Sequence, residues 1–168
     1  TSARLPWLLI GMLGGIGNSM ILGNFDTTFA AHPEMALYIP LIGGTGGNVG
    51  TQSSALVVQG LANSSLDANN TWKQILKESV VALINATIIS MLVYIYNFIR
   101  FGATATVSYS VSLSLFAVVM FASIFGTLVP MTLEKLKIDP AIATGPFISI
   151  TNDIIGMMLY MGITVLLS

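Results

Sequence analysis

Residues 139–167 read DPAIATGPFISITNDIIGMMLYMGITVLL, and the apolar run from Ala141 to Leu167 is interrupted near its middle by Asp153. The run is long enough to cross a bilayer, which takes about 20 apolar residues in a helix. An aspartate at the centre of such a helix costs roughly 2.5–3.5 kcal/mol on insertion scales, so it needs a partner. The six Lys and Arg residues all fall at or beyond the ends of the apolar segments. We therefore expect a proton or a metal cation as the partner of Asp153.

The composition of the whole chain excludes a water-soluble domain. Only 8% of the 168 residues are charged and 54% are hydrophobic, with a mean hydropathy of +0.84. Soluble domains carry about 25% charged residues. The net charge of −1 offers no basic surface for nucleic acid, and the lack of Cys excludes disulfides and thiolate metal sites. The chain is predicted to be an integral membrane protein.

Five apolar stretches predict an all-α fold with five transmembrane helices per chain. They cover about 5–29, 35–61, 74–99, 108–131 and 140–167. Cytoplasmic loops of membrane proteins are enriched in Lys and Arg. That rule predicts a multi-pass protein of the cell (inner) membrane, with the N-terminus in the cytoplasm and the C-terminus outside. Five basic residues then lie inside and one, Arg100, outside; the five are Arg4, Lys73, Lys77, Lys135 and Lys137.

The number of spans bears on how a pathway could form. Internal inverted repeats usually require an even number of spans, and the halves of this chain show no repeat. A pathway on the two-fold axis of a homodimer is therefore the more natural arrangement. The chain begins at Thr1 rather than Met, so we expect residues 1–168 to be one transmembrane domain of a longer protein.

A glycine cluster marks the second predicted span, where residues 40–52 read PLIGGTGGNVGTQ. Each glycine costs roughly 1 kcal/mol against alanine in an exposed helix, so five glycines within eight residues call for an explanation. One explanation is close helix packing through Gly-xxx-Gly pairs. The other is a bare backbone that exposes carbonyl oxygens to a pore, with Asn48 adding an amide. Glycine spacing alone leaves both open.

The fifth predicted span carries a second unusual pattern around Pro146. Proline removes a backbone donor and is expected to free the carbonyls near residues 142 and 143. A small, polar helical face follows at i, i+4, i+7, i+8 and i+11 spacing. Its residues are Gly145, Ser149, Asn152, Asp153 and Gly156. This face is the best candidate for a pore lining, although a protonated Asp153 hydrogen-bonded within a bundle is the structural alternative.

The remaining polar residues of the apolar segments and loops receive simpler interpretations. Asn18 and Asn85 are expected to bridge helices rather than to bind a ligand. Asp26 and Glu34 lie in the predicted outer loop, where they are solvated or help to collect cations. His32 lies in the same loop, but without a second nitrogen ligand it does not indicate a zinc site.

Two motifs together resemble the MgtE-type magnesium channel family. They are IPLIGGTGGNVGTQSS over residues 39–54, and DPAxxxxPxxxxxNDxxG over residues 139–156. The resemblance extends over all five predicted spans. It implies a homodimer with its pore at the subunit interface, Mg²⁺ as the transported ion, and a cytoplasmic N-terminal region with CBS domains that regulate the pore in full-length members.

The resemblance also implies roles for particular residues. Asp153 corresponds to the pore aspartate that recognises the ion, while Asn48 and the backbone around Gly44 correspond to pore-lining positions. Gly145 and Ser149 match further pore positions of the family, and Asn152 belongs to the same polar face. We accordingly predict that these residues form a Mg²⁺ site, which other divalent cations could also occupy.

Three functions remain open on the residues alone. The first is a dimeric, channel-like pore for hydrated Mg²⁺, which releases its water reluctantly and prefers oxygen ligands. The second is a proton-coupled divalent-cation carrier that uses Asp153 as its proton or ion site. The third, a membrane enzyme or scaffold, is disfavoured because Asp153 is the clearest titratable group at mid-membrane depth. Carboxylate and amide oxygens accept Mn²⁺, Co²⁺ or Ca²⁺ as well as Mg²⁺.

Overall fold

The computed structural model describes residues 1–2, 4–141 and 145–167. Six α-helices account for most of this part of the chain: α1 Leu5–Gly23, α2 Asp26–Ala31, α3 Ile39–Ala62, α4 Thr71–Phe101, α5 Thr106–Lys135 and α6 Pro146–Leu167. Two short 3-10 helices, Pro33–Tyr38 and Ala68–Asn70, precede α3 and α4. The prediction of an all-helical fold is confirmed.

Four of the described helices are long and apolar enough to cross a membrane, namely α1, α4, α5 and α6. The glycines and amides of α3 lower its hydropathy, although its 24 residues give it sufficient length. A multi-pass membrane protein is therefore supported, while the count of five spans stays a prediction.

The helix boundaries differ from the predicted ones at both outer segments of the chain. The predicted 5–29 segment is interrupted after Gly23, where the N–H of Asn24 donates to the carbonyl of Ile21 and the N–H of Phe25 donates to that of Leu22. Of the predicted 140–167 segment, the described residues form helix α6 from Pro146 onwards. Proline is favoured in the first turn of a helix, where its missing N–H costs little. The carbonyls predicted to be freed, at residues 142 and 143, lie outside the described residues.

Helix α5 is the central element, with α3, α4 and α6 packed around it. Its buried face contains many small polar residues, and Ser110 Oγ lies 2.7 Å from Thr164 Oγ1 of α6. Close to the other end of the helix, a Cβ added to Gly126 would lie 2.5 Å from the carbonyl oxygen of Gly50. Small residues allow helices to approach closely in lipid, where helix association has no hydrophobic driving force.

From α3 to α6, helices that follow one another along the chain alternate in direction. The hydroxyl of Tyr38, before α3, donates to Asn97 near the end of α4, whereas Ser53 further along α3 donates to Glu78 near the start of α4. Contacts of α3 with α6 likewise run in opposite order along the two helices: Gly43 faces Met157 and Gly50 faces Ile148.

This arrangement separates the basic residues between the two ends of the bundle. Arg100 lies at the end where Tyr38 meets Asn97. The opposite end holds Lys73 and Lys77 at the start of α4, and Lys135 at the end of α5. The geometry therefore gives the asymmetric charge distribution on which the predicted orientation rests, but the orientation itself is still a prediction.

Candidate functional site

A polar pocket of about 400 Å³ opens between α1, α3 and α6. We call it the Asp153 pocket. Its wall combines bare glycine backbone from α3, amide and hydroxyl groups from three helices, and one carboxylate. The lining residues are Asn18, Ile39, Gly43, Gly44, Gly47, Asn48, Thr51, Ser149, Asp153 and Met157.

The carboxylate of Asp153 lies against the glycine face of α3. Its Oδ1 is 3.5 Å from the position that a Cβ would occupy at Gly43 and 3.9 Å from that at Gly47. Ser149 Oγ, one turn earlier on α6, is 3.6 Å from the same position at Gly47. Side chains larger than alanine at these glycines would therefore compete for the space of the carboxylate and hydroxyl.

Within the part of the chain that the structure describes, no basic side chain forms an ion pair with Asp153. The ion pair recorded among the described residues joins His32 Nδ1 and Glu34 Oε1, at 3.8 Å, and Asp153 takes no part in it. This agrees with the sequence, in which all Lys and Arg residues lie towards the helix ends. A half-buried carboxylate in a polar pocket is a suitable ligand for a cation.

Three residues on the exposed side of α3 complete the oxygen-rich wall of the pocket. Gly44, Asn48 and Thr51 follow one another at helical spacing, and all three are exposed. Among the described residues, apart from its chain neighbours and its own helix backbone, no atom lies within 4 Å of a Cβ added to Gly44, so this position faces open space. Four of the predicted site residues are thus brought together: Gly44, Asn48, Ser149 and Asp153.

Two predicted site residues lie elsewhere. Asn152 is buried, and a Cβ added to Gly50 would overlap its amide nitrogen. It therefore points towards α3 and α5, since consecutive helical residues differ by about 100° in direction. Gly145 precedes α6 and is not among the residues that line the pocket. The predicted polar face of α6 is divided, because Gly156 also faces inwards, towards Val118 and Ile42.

Asn18 and Thr51 line the Asp153 pocket without having been predicted as site residues. Asn18, which is expected to bridge helices, reaches the pocket from α1. Its Oδ1 is buried and has no hydrogen-bond partner among the described residues. An isolated amide within an apolar, glycine-rich span was the only available signal, and it did not distinguish a helix bridge from a ligand.

Glu78 is a second acid within the helical bundle. It lies in the second turn of α4, and its Oε1 accepts a hydrogen bond from Ser53 Oγ at 2.7 Å. This contact ties α4 to α3 on the side of α3 away from the Asp153 pocket. The described residues contain no group of three His, Cys, Asp or Glu side chains placed to hold a metal ion. A cation in the Asp153 pocket would therefore rely on one carboxylate per chain.

Comparison of the sequence with known protein families identifies the family of this chain. Residues 39–163 match the MgtE family, described as a divalent cation transporter. The chain belongs to the MgtE family. The match covers α3 to α6, and so includes every residue of the Asp153 pocket except Asn18. The resemblance inferred from the two motifs is confirmed, and the family is one of transporters rather than enzymes.

Curated members of the MgtE family from three bacteria are similar to nearly the whole chain. The protein named magnesium transporter MgtE from Bacillus subtilis is 34% identical over 160 residues, covering 95% of this chain and 35% of that protein. The magnesium transporter MgtE from Thermus thermophilus is 33% identical over 165 residues, covering 98% of this chain and 36% of that protein. The magnesium transporter MgtE from Enterococcus faecalis is 30% identical over 162 residues, covering 96% of this chain and 36% of that protein. The chain thus spans about a third of the length of the curated relatives it matches.

Proposed function

We propose that this chain forms the membrane part of a Mg²⁺ transporter, in which the Asp153 pocket binds the ion. The observation that carries the proposal is the uncompensated Asp153 carboxylate beside the glycine face of α3. The names of the curated relatives support Mg²⁺ as the ion.

The chemistry of the pocket suits a hydrated divalent cation. Mg²⁺ binds oxygen at about 2.0–2.1 Å in an octahedron, and it usually keeps several of its waters. One carboxylate, the amides of Asn48 and Asn18, and the hydroxyl of Ser149 can accept hydrogen bonds from those waters. Such a site uses little charge, so it can release the ion as well as bind it, as conduction requires.

We further propose that the conducting unit is a homodimer with two Asp153 pockets facing each other across its axis. Support comes from the exposed positions of Gly44, Asn48 and Thr51, which leave the pocket open on one side in the single chain. Two opposed carboxylates would repel each other in the low-dielectric membrane. A divalent cation between them would remove that repulsion, which would couple ion binding to the dimer.

The wider arrangement is part of the same proposal. The basic end of the bundle, with Lys73, Lys77 and Lys135, is placed in the cytoplasm by the positive-inside rule. The curated relatives are much longer than the matched part of this chain, which is consistent with the cytoplasmic CBS-containing region that the family resemblance implies. That region would face the same side of the membrane as these lysines.

The direct test is Mg²⁺ uptake into proteoliposomes that contain the chain or its Asp153→Asn variant. We expect uptake by the native chain, no uptake by Asp153→Asn, and the same oligomeric state for both in size-exclusion chromatography. Equal uptake by the two proteins would remove Asp153 from the transport mechanism.

Uptake without any pH gradient separates a channel from the alternative, a proton-coupled carrier. A channel conducts Mg²⁺ down its own gradient at a rate that does not depend on an imposed proton gradient. An absolute requirement for a proton gradient would favour the carrier.

A further inference from the structure

Helices α3, α5 and α6 meet at one point on the buried face of α3 that adjoins the Asp153 pocket. We call this point the Gly50 crossing, formed by Gly50, Gly126 and Asn152. A Cβ added to Gly126 would lie 2.5 Å from the Gly50 carbonyl oxygen, and one added to Gly50 would overlap the Asn152 amide. The Asn152 side chain thus occupies the notch left by the missing Gly50 side chain.

The Gly50 crossing contains buried polar atoms without hydrogen-bond partners among the described residues. Asn152 is 1% exposed, and both its Nδ2 and its Oδ1 lack partners. Ser54 Oγ, one helical turn beyond Gly50, and Thr127 Oγ1, next to Gly126, also lack partners. Buried polar atoms in proteins are almost always hydrogen-bonded, either to protein groups or to ordered water. Water in protein interiors typically makes about three hydrogen bonds to such groups.

Patterning alone does not fix the rotation of α6 about its axis. Apart from its small and polar residues, the helix is apolar on every side, with Ile154, Ile155 and Met158 following Asp153. In lipid, apolar side chains gain no hydrophobic free energy from facing inwards, so the rotation is decided by the packing of small residues and by polar contacts. Asn152 is adjacent to Asp153, and a fixed Asn152 therefore fixes the direction of the carboxylate.

We propose that the Gly50 crossing binds buried water, and that Asn152, hydrogen-bonded through this water, is a positioning residue that directs Asp153 into its pocket. The proposal rests on the function proposed above for Asp153. It gives Asn152 a role other than that of an ion ligand. The amide suits this role because it offers two donors and two acceptor sites in a small volume.

The absence of cysteine from the chain makes the proposal testable by site-specific labelling. A Ser149→Cys variant carries a single thiol on the pocket side of α6, and its reaction rate with a water-soluble methanethiosulfonate reports the rotation of that helix. Adding Asn152→Leu, which keeps the approximate volume but removes the hydrogen bonds, should lower the rate about five- to ten-fold. Adding Asn152→Ser, which retains a hydroxyl, should lower it less.

A matched control adds a methyl group to the same buried face of α6. A Cβ at Gly156 would lie 3.7 Å from Val118, an ordinary contact, so Gly156→Ala should leave the labelling rate unchanged. An unchanged rate in Asn152→Leu as well would overturn the proposal. If the labelling rate of Asn152→Leu were unchanged and Mg²⁺ no longer slowed the labelling of its Ser149→Cys thiol, Asn152 would be an ion ligand instead of a positioning residue.

A second pair of variants distinguishes hydrogen bonding from packing and does not depend on the leucine variant folding. Gly50→Ala pushes the Asn152 amide out of its notch and should lower the labelling rate. Asn152→Ala in addition makes room for the new methyl group. If the amide acts through hydrogen bonds, the double variant stays slow; recovery of the native rate would show that only packing matters and would overturn the proposal.

These labelling rates need no transport activity. Failure of the proposed function would appear as equal uptake by native chain and Asp153→Asn, whatever the labelling shows. Failure of the positioning role would appear as unchanged labelling while Asp153→Asn still abolishes uptake.

Discussion

The two faces of α3 are built from the same residue type for different physical purposes. On one face, Gly43, Gly44 and Gly47 line the Asp153 pocket, and added Cβ atoms there would meet nothing closer than 3.5 Å. On the other, Gly46 and Gly50 are buried, and added Cβ atoms would collide with Val118 and Asn152. Glycine therefore leaves room for the Asp153 pocket on the first face and allows close approach of helices on the second. Close helix packing, one of the two explanations that the sequence left open, is thus observed at Gly46 and Gly50, whereas exposure of the backbone to a pore, on the adjoining face, stays a prediction.

The largest difference between the faces should appear when a bulky side chain is placed on the pocket face. Gly47→Leu would project into the space beside Ser149 and Asp153, so we expect almost complete loss of Mg²⁺ uptake in proteoliposomes. Gly44→Ala, which meets open space, is the matched control and should retain most of the uptake. Normal transport by Gly47→Leu would mean that the pocket is not on the ion pathway.

A methyl group on the helix-packing side should instead affect stability. Gly126→Ala would place its Cβ 2.5 Å from a backbone oxygen of α3, which cannot move aside as a flexible side chain can. We expect it to lower the free energy of unfolding by about 1–3 kcal/mol, the usual cost of overpacking. Thermal unfolding in detergent measures the loss, with Gly44→Ala again as the control. Similar melting temperatures for both variants would contradict the close contact of α5 with α3.

Asn18 tests whether α1 belongs to the pocket. Removing one hydrogen-bonding group from a binding site costs about 1 kcal/mol, or roughly five-fold in affinity. Asn18→Ala should therefore raise the Mg²⁺ concentration for half-maximal uptake by about that factor, with little effect on the melting temperature. Asn85→Ala, on an exposed position of α4, should leave both quantities unchanged. If Asn18 only bridged helices, its loss would instead lower stability and spare the affinity.

The smallest effects are expected from the acids outside the pocket. Asp26→Asn and Glu34→Gln should change the uptake rate less than about two-fold at physiological salt, because exposed charges are screened beyond about 8–10 Å. The effect should grow at low ionic strength if these residues collect cations. Uptake rates measured at two salt concentrations decide this point, and a large effect independent of salt would place these acids in the binding site itself.

Much of this architecture could be predicted because the hydropathy and composition of each segment determine whether it forms a membrane helix. Uninterrupted apolar segments indicated the helices, and a charged residue without a nearby counter-charge indicated Asp153. The glycine cluster and Asn48 were assigned to the predicted site through the family resemblance, since glycine spacing alone left close packing open as well. These signals concern single helices, for which the sequence is sufficient.

The rest depends on how helices are rotated against one another, which periodicity did not reveal. Asn152 and Asp153 are adjacent and polar, yet one enters the Gly50 crossing and the other the Asp153 pocket. In α6 the apolar residues surround these positions on all sides, so no hydrophobic stripe marks an inner face. The position of Asn18 in the pocket could not be predicted for a related reason, since it depends on the packing of α1 beside α6.

The most direct test of the account is protection of the Asp153 pocket by Mg²⁺. Thr51→Cys provides a single thiol on the exposed, pocket-lining side of α3 and leaves Asp153 and every predicted ligand intact. We predict that Mg²⁺ slows its reaction with a water-soluble thiol reagent, and that adding Asp153→Asn removes this protection. Protection that persists without the carboxylate, or its absence in the presence of Asp153, would contradict a cation site in the pocket.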